Sequence, residues 1–476
     1  MWYNLKVLNL KTIRSMDKMK MQLTEIANAI GIEDVPETWA AITIANVEFD
    51  SRKVRPNSLF IPLQGQRDGH EFVDTAIKNG SVATLWAKDH EDVPSDYPAL
   101  VVDDPLTALQ KLAVYYLKKI NPKVVAITGS NGKTTTKDMT ASLLETEYNV
   151  VKTQANFNNG IGVPITLLNM NANTEVVVVE MGMDHPGQLD FLSKMVQPDT
   201  VVITMIGEAH IEFFGTRDKI ADAKLEITDG LKEDGLFIYN GDEPLLRERS
   251  KQVEQQQYTF GESAADDLFA SNIQWAKDHT DFEINLVPGK TYRIPMIGKY
   301  NVMNALAAIA VAKAYHVDPS KIGDALSNFQ ITHNRTEWVQ GSAGEAILSD
   351  VYNSNPTAAK EVLDSFSRTE TSGSRMAVLG DMLELGEQSD AMHISLSDHL
   401  DPKLISQVYL VGNHMKALEK VLKAKYPNEQ IHWYSVEQED QLIADLHAKL
   451  TNKDEILIKG SHGIHLEKVL AGLRDS

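Results

Sequence analysis

The stretch Val124-Val125-Ala126-Ile127-Thr128-Gly129-Ser130-Asn131-Gly132-Lys133-Thr134-Thr135-Thr136 decides how the rest of the chain is read. Val124 to Ile127 is a short apolar run of the kind that forms a buried strand. Thr128 to Gly132 supplies small, turn-tolerant residues, and Lys133 onward, through Lys137, Asp138 and Met139, reads as the opening of a helix. Strand, glycine-bearing loop and helix N-terminus together make a cradle for phosphate. The first backbone N–H groups of a helix have no intrahelical partner and point at the anion, and glycine lets the main chain come close. In such a loop Lys133 reaches the β- and γ-phosphates and the Thr134 hydroxyl sits on Mg2+. Only the Gly-Lys-Thr half of the full phosphate-loop pattern is kept, because Ile127 stands where that pattern has its first glycine. A solvated strand–turn–helix junction is the competing reading; the flanking strand and helix favour a nucleoside triphosphate.

Outward from this loop, over about 121–330, strands and helices alternate as a mainly parallel sheet requires. Val176 to Val179 is a continuous β-branched run ending in Glu180-Met181-Gly182. A carboxylate at the carboxyl end of a buried parallel strand sits where open α/β sheets bind ligands, so Glu180 is either a ligand to the same Mg2+ or a solvent-facing strand end. Val201 to Ile206 reads as another strand, leading to His210, an ion ligand or a structural histidine. Asn156, Asn158 and Asn159, followed by Gly160 and Gly162-Val163-Pro164, form an amide-rich loop that either donates to phosphoryl oxygens or merely turns the chain. Arg217 to Leu231 reads as one helix on which Lys224 is ordinary surface charge. Asn301 and Asn304 lie one turn apart before an alanine-rich helix, Ala305 to Ala314; paired amides can grip an adenine edge, and helix capping by Asn301 is the alternative.

Two further segments flank this one. From Met19, where Leu23, Ile26, Ala27 and Ile30 share a helical face, to about 120, short strands and turns include Asp50-Ser51-Arg52, the apolar run Leu59 to Leu63, and Asp68-Gly69-His70. Ser51 and Arg52 hold a phosphate or uracil group, or are solvated loop residues. Asn121-Pro122 makes a hinge. From 331 to 476 the α/β rhythm repeats, with strands expected at Ala346 to Leu348, Met376 to Leu379, Val408 to Val411 and Glu455 to Lys459. Polar residues collect at their ends: Asp350, Tyr352, Asn353 and Asn355-Pro356, then Asp381 to Glu387, then Lys459-Gly460-Ser461. That is a second open sheet of nucleotide-binding type, its strand ends facing the central segment. The division is therefore 19–120, 121–330 and 331–476.

Composition narrows the function. The 476 residues exceed one ordinary core and suggest about three domains. A net charge of −20 excludes nucleic acid or an anionic membrane as the main partner, since both demand basic surfaces. The chain has no cysteine, which removes disulfides and thiolate zinc sites and fits a reducing cytoplasm. No apolar run approaches the ~18 residues of a membrane span. Residues 1–18 carry Lys6, Lys11, Arg14 and Lys18 without an apolar core, so they read as an extension, or as upstream of the native start, and not as a signal peptide.

Taken together these residues resemble the Mur ligases of peptidoglycan assembly. The resemblance runs from about Met19 to the end and is carried by the following stretches: Asp50 to Arg52, Asp68 to His70, Thr128 to Thr136, Asn156 to Pro164, Glu180 to Gly182, Asn301 with Asn304, Asp350 to Pro356, and Leu379 to Glu387. It implies three domains: a smaller N-terminal α/β domain, a central phosphate-loop domain with a mainly parallel sheet and helices on both faces, and a C-terminal Rossmann-like domain. It also implies a monomeric, cytoplasmic, ATP-driven ligase. The carboxylate of UDP-N-acetylmuramoyl-tripeptide attacks the γ-phosphate to give an acyl phosphate, from which the D-alanyl-D-alanine amine displaces phosphate. By the same resemblance Gly129, Ser130, Asn131, Gly132, Lys133, Thr134, Thr135, Asn301, Asn304, Arg335 and Asp350 bind ATP. Thr134, with Glu180 as a further ligand, holds a first Mg2+, and His210 and carbamylated Lys224 hold a second; Lys133, His210, Lys224 and Arg335 serve catalysis; Ser51, Arg52 and Asn156 meet the UDP-substrate. There are departures: Tyr300 stands where the family has His, His462 where Arg is common, and Asn57 at a turn glycine. Rival readings are the member that adds L-lysine or diaminopimelate to the dipeptide precursor, folylpolyglutamate synthetase, and a phosphate-loop protein without ligase activity. The first carries an Asp-Asn-Pro-Arg-type motif, whereas Asn355-Pro356 is followed here by Thr357; the second lacks the Asp-Gly-His segment.

Overall fold

The computed structural model describes residues 20–474, so the basic extension expected over residues 1–18 lies outside the described residues. The chain divides into two compact units. One runs to Ala126 and adds Glu147–Gly182 and Phe191–Asp199; the other comprises Ile127–Thr146, Met183–Asp190 and Thr200 to the C-terminus.

In the first unit the strands Asn46–Glu48, Ser58–Phe60, Ser81–Ala87 and Ala99–Val102 pair in chain order, all parallel. The expected strand over Leu59 to Leu63 stops at Phe60, two residues before Pro62, which has no N–H to give a ladder. Asn57 takes φ +62°, the left-handed conformation its short amide tolerates. The helix Leu23–Ile30 buries Leu23, Ile26, Ala27 and Ile30, the face set by their spacing, and stops at Gly31 with φ +93°. The long helix Pro105–Ile120 is started by Asp104, whose carboxylate accepts from the Leu106 and Thr107 N–H groups. Val150–Lys152 and Val176–Glu180 pair in parallel.

In the second unit Thr200–Ile203, Leu236–Asn240 and Gln256–Gly261 are parallel neighbours. Leu268–Trp275 joins in parallel and opens an antiparallel meander with Thr280–Ile284 and Thr291–Ile294, which periodicity had not shown. Two expected elements are shorter than their apolar runs. The strand expected to reach Ile206 ends at Ile203, and the helix expected to reach Leu231 is Arg217–Leu225 followed by a 3-10 turn, Glu226–Thr228. The phosphate-loop helix, Lys133–Leu144, packs on Lys299–Ala314. The latter is buried from Asn304 through Ala312 with no break, as a helix that is apolar almost all round must be. Its N-cap is Gly298, so Asn301 lies inside the first turn and caps nothing.

A six-stranded sheet ends this unit. Its order is Glu337–Gln340, Ala346–Asp350, Glu455–Lys459, Arg375–Gly380, Gln407–Val411, Ile431–Tyr434, parallel except for the first. Ile347, Val378, Tyr409 and Ile458 pack with Leu442, Leu446 and Val469 to form its core. Inserting the last strand between the first two parallel ones brings Lys459 beside Asp350.

Candidate active site

The phosphate loop is shaped by two glycines. Gly129 has φ +153°, and a Cβ there would fall 1.8 Å from Thr204 Oγ1; Gly132 has φ +81°, and a Cβ would fall 2.2 Å from Asn304 Oδ1. Neither position accepts a side chain without displacing its neighbour. Lys133 Nζ donates to the Gly129 carbonyl at 2.8 Å, Thr134 is buried, and Thr135 is half-buried. Ser130 Oγ accepts from the Gly207 N–H at 2.8 Å. Asn131 and Asn355 exchange two amide hydrogen bonds, at 3.2 and 2.7 Å, joining the loop to the residue that caps the helix Pro356–Phe366.

Lys224 is not surface charge. It is 2% exposed, and among the described residues it has no hydrogen-bond or ion-pair partner. Burial, helped by the nearby Lys133 charge, pushes its pKa well below the usual lysine range, so the neutral amine is favoured. His210 sits close to both lysines. Burial lowers its pKa, Glu384 opposes that, and Lys133 and Lys224 lower it further. Its Nδ1 meets Glu384 Oε2 at 2.5 Å, and the Glu384 carbonyl accepts from the Glu212 N–H. Lys133, His210 and Lys224 therefore converge at the loop.

Asn301 and Asn304 are 1% and 6% exposed and bonded to one another: Asn304 Nδ2 donates to Asn301 Oδ1 at 3.1 Å, and Asn301 Nδ2 donates to the Ile297 carbonyl at 2.8 Å. Asn304 Oδ1 also accepts from Thr136 Oγ1 at 3.3 Å. Asn304 abuts the phosphate loop at Gly132, and much of the pair's amide capacity is already used. Arg335 lies over the Tyr352 ring at 4.0 Å, and its buried Nε has no hydrogen-bond partner among the described residues. Both its neighbours, Asn334 and Thr336, take positive φ, which for β-branched Thr336 is strained. Asp350 accepts from the Thr336 N–H at 3.3 Å and from Lys459 Nζ at 2.5 Å. Tyr300 donates to or accepts from Thr336 Oγ1 at 3.0 Å, and burial raises its pKa well above the usual phenol value, so it stays neutral.

In the first unit, Glu180 is fully buried; Asn158 Nδ2 donates to its Oε1 at 2.9 Å. Asp50 caps the turn Ser51–Lys53 and holds Arg52 by two bonds at 2.9 Å, so the Arg52 guanidinium is already paired, while Ser51 is buried. Phe157 packs against Phe49 at 5.9 Å and under Lys53 at 6.0 Å, which brings exposed Asn156 to the Ser51–Arg52 turn.

Some partners escaped the sequence. Glu384 lay inside a polar strand-end cluster, yet nothing local ties it to His210. Glu208 binds both the Thr357 N–H and its hydroxyl, at 3.2 and 2.7 Å, and Thr357 was legible only as a missing arginine.

Fold and site define an α/β protein of the phosphate-loop nucleotide-binding class, with a second nucleotide-type sheet reaching its loop. Three family models match: the Mur ligase middle domain over residues 127–312, the Mur ligase glutamate ligase domain over 334–462, and the Mur ligase family catalytic domain over 43–116. The chain belongs to the Mur ligase family. It is 40% identical over 434 residues, 91% of this chain and 94% of the relative, to the UDP-N-acetylmuramoyl-tripeptide–D-alanyl-D-alanine ligase of Bacillus subtilis (strain 168). It is similar to MurF from Acinetobacter baumannii, with TM-score 0.84 and 29% identity over 96% of this chain and 99% of that one. MurF ligase from Thermotoga maritima in complex with ADP gives 0.77 and 28%, covering 90% and 96%.

Proposed function

We propose that this chain is an ATP-dependent ligase that joins D-alanyl-D-alanine to UDP-N-acetylmuramoyl-tripeptide in peptidoglycan precursor synthesis. The observation that carries it is the convergence of Lys133, His210 and buried Lys224 at the phosphate loop, in a chain alike over most of its length to ligases of that name. A carboxylate is a poor acyl donor until phosphorylated. Its oxygen forms a bond to the γ-phosphorus as the bond to the β-phosphate oxygen breaks and ADP leaves. The dipeptide amine then bonds to the acyl carbon, phosphate departs, and the nitrogen loses a proton. The first step brings two anions together, so neutralising charge matters most. We assign that work to Lys133, to the loop N–H groups of Gly129 to Thr135, and to Arg335, whose orphaned Nε–H is left for an anion. Asn301, Asn304 and Asp350 form the nucleoside side, and Ser51, Arg52 and Asn156 the UDP side. On this reading 19–120 is the UDP-substrate domain, 121–330 the ATP-binding domain and 331–476 the ligase domain, with Asn156 and Asp350 reaching across those bounds.

A lysine ammonium does not fit beside a magnesium ion. A neutral buried amine does fit carbamylation, which turns Lys224 into an oxygen ligand like a carboxylate. With that change, His210 and Lys224 suit one divalent cation and Thr134 another, and Mg2+ bound there would supply positive charge to the transferring phosphoryl group. Glu180, buried at its strand end, is the acidic metal-ligand candidate of the first unit. No helix among the described residues is long and apolar enough to cross a membrane; on this reading the chain acts in the cytoplasm as a monomer. The test is phosphate release from ATP with UDP-N-acetylmuramoyl-tripeptide, with and without D-alanyl-D-alanine. Release that needs both, with a pentapeptide product by mass, is expected. Release with the dipeptide precursor and a free diamino acid moves the assignment one step back, and release needing neither leaves a bare ATPase.

A further inference from the structure

The third residue of the tripeptide has its side chain on the carbon next to the carboxyl that is activated, so its pocket lies within one side-chain length of the reacting phosphoryl group. This inference rests on the proposed function. Two segments of the second unit bring exposed groups to that place. Phe213 stands on the short helix Ile211–Phe214, three residues beyond His210, and is 46% exposed. Its ring lies 4.9 Å from that of His185, tilted by 34°. His185 Nδ1 and Asp184 Oδ1 are 2.9 Å apart, and Gln188 Nε2 donates to the same oxygen at 2.7 Å. Gln188 Oε1 accepts from the Asp184 and His185 N–H groups, which fixes the loop. Because Phe213 follows His210 by three residues and its ring meets His185, this loop borders the Lys133–His210–Lys224 group.

The patch offers an aromatic face and a carboxylate. Glu226 accepts from the Gly187 N–H at 2.9 Å, which ties the far end of this loop to the turn Glu226–Thr228. We propose that Asp184, His185 and Phe213 form the pocket for the third residue's side chain and select L-lysine over meso-diaminopimelate. A lysyl ammonium gains the Phe213 face and the Asp184 charge. Diaminopimelate carries a carboxylate on the same terminal carbon as its ammonium and brings like charge to Asp184.

The experiment compares kcat/KM of the full chain, with ATP and D-alanyl-D-alanine, for the two UDP-N-acetylmuramoyl-tripeptides. We expect the lysine form to lead by about ten-fold, and Asp184→Asn and Phe213→Ala each to lower that ratio by about five-fold, mostly through KM, from the strength of exposed cation–π and ion-pair contacts. Phe213→Tyr keeps the ratio. Both rates come from one preparation, so any misfolded fraction cancels. A ratio of one or less in the unaltered chain, or one that neither Asp184→Asn nor Phe213→Ala moves, overturns the proposal. Turnover of neither tripeptide overturns the ligase assignment instead.

Discussion

Cutting the amide clasp between Asn131 and Asn355 isolates the contact through which the phosphate loop meets the C-terminal sheet. The two side chains give and take one hydrogen bond each, at 3.2 and 2.7 Å, in a partly buried setting. In this partly buried setting each neutral hydrogen bond contributes about 0.5–1 kcal/mol net, so the pair is worth about 1–2 kcal/mol. Asn355 has a second duty: its Oδ1 also accepts from the Ala358 N–H at 3.0 Å and caps the helix Pro356–Phe366, and losing a cap costs about 1 kcal/mol more. Asn131→Ala alone therefore lowers kcat/KM for ATP by about 5- to 30-fold, and Asn355→Ala alone by more. A double-mutant cycle subtracts the cap. If closure depends on the clasp, the double variant is close to Asn355→Ala alone, about 5- to 30-fold better than the product of the single losses. The assay is initial-rate phosphate release at saturating peptide substrates for all four proteins. Single losses that simply multiply, with coupling below about 0.3 kcal/mol, would refute the clasp and leave Asn131 as a separate phosphate contact.

Lys133→Ala abolishes ligation while UDP-tripeptide binding, measured by calorimetry, and the circular dichroism spectrum stay intact; turnover in that variant removes the loop from the mechanism. Lys224→Ala is nearly inactive and partly restored by short carboxylic acids that replace the carbamate; failure of such rescue counts against carbamylation. Glu361 gives a pH-dependent stability effect, because burial raises its carboxyl from the usual 4.5 to about 7, with Lys459 opposing. The folded chain thus holds a proton that the unfolded chain releases between those values, and stability falls as pH rises through them. At about 1.4 kcal/mol per pH unit the full penalty is on the order of 3 kcal/mol and is present above pH 7. Glu361→Gln therefore raises the thermal midpoint at pH 8 and hardly changes it at pH 5; equal shifts at both refute the buried-charge account.

Much of the fold was legible because it is encoded locally. The last strand runs over Glu455–Lys459, the bounds expected around its apolar centre Ile456 to Ile458, and Leu23, Ile26, Ala27 and Ile30 bury the face their spacing defines. Edge elements were harder. Glu337–Gln340 and Ile431–Tyr434 mix polar and apolar residues and become strands only by pairing with a sheet already formed. Strand and helix ends were overrun where apolar residues continue past the last ladder or helical bond, as at Thr204 to Ile206.

The phosphate loop was decided by the sequence alone. Strand, glycines and helix start are contiguous, so the turn is readable locally, while Thr204 and Asn304 close the space at Gly129 and Gly132. What the sequence could not decide is which distant side chains share that loop. His210 and Glu384 are 174 residues apart, Asn131 and Asn355 are 224 apart, and Asp350 and Lys459 are 109 apart. Their pairing follows from strand order and helix docking, which no local pattern records. Lys224 shows this most plainly. It shares the helix Arg217–Leu225 with Ile220, Ala221 and Ala223, all buried, and only tertiary packing places its amine out of water and beside Lys133. Burial, not residue type, pushes this amine towards its neutral form.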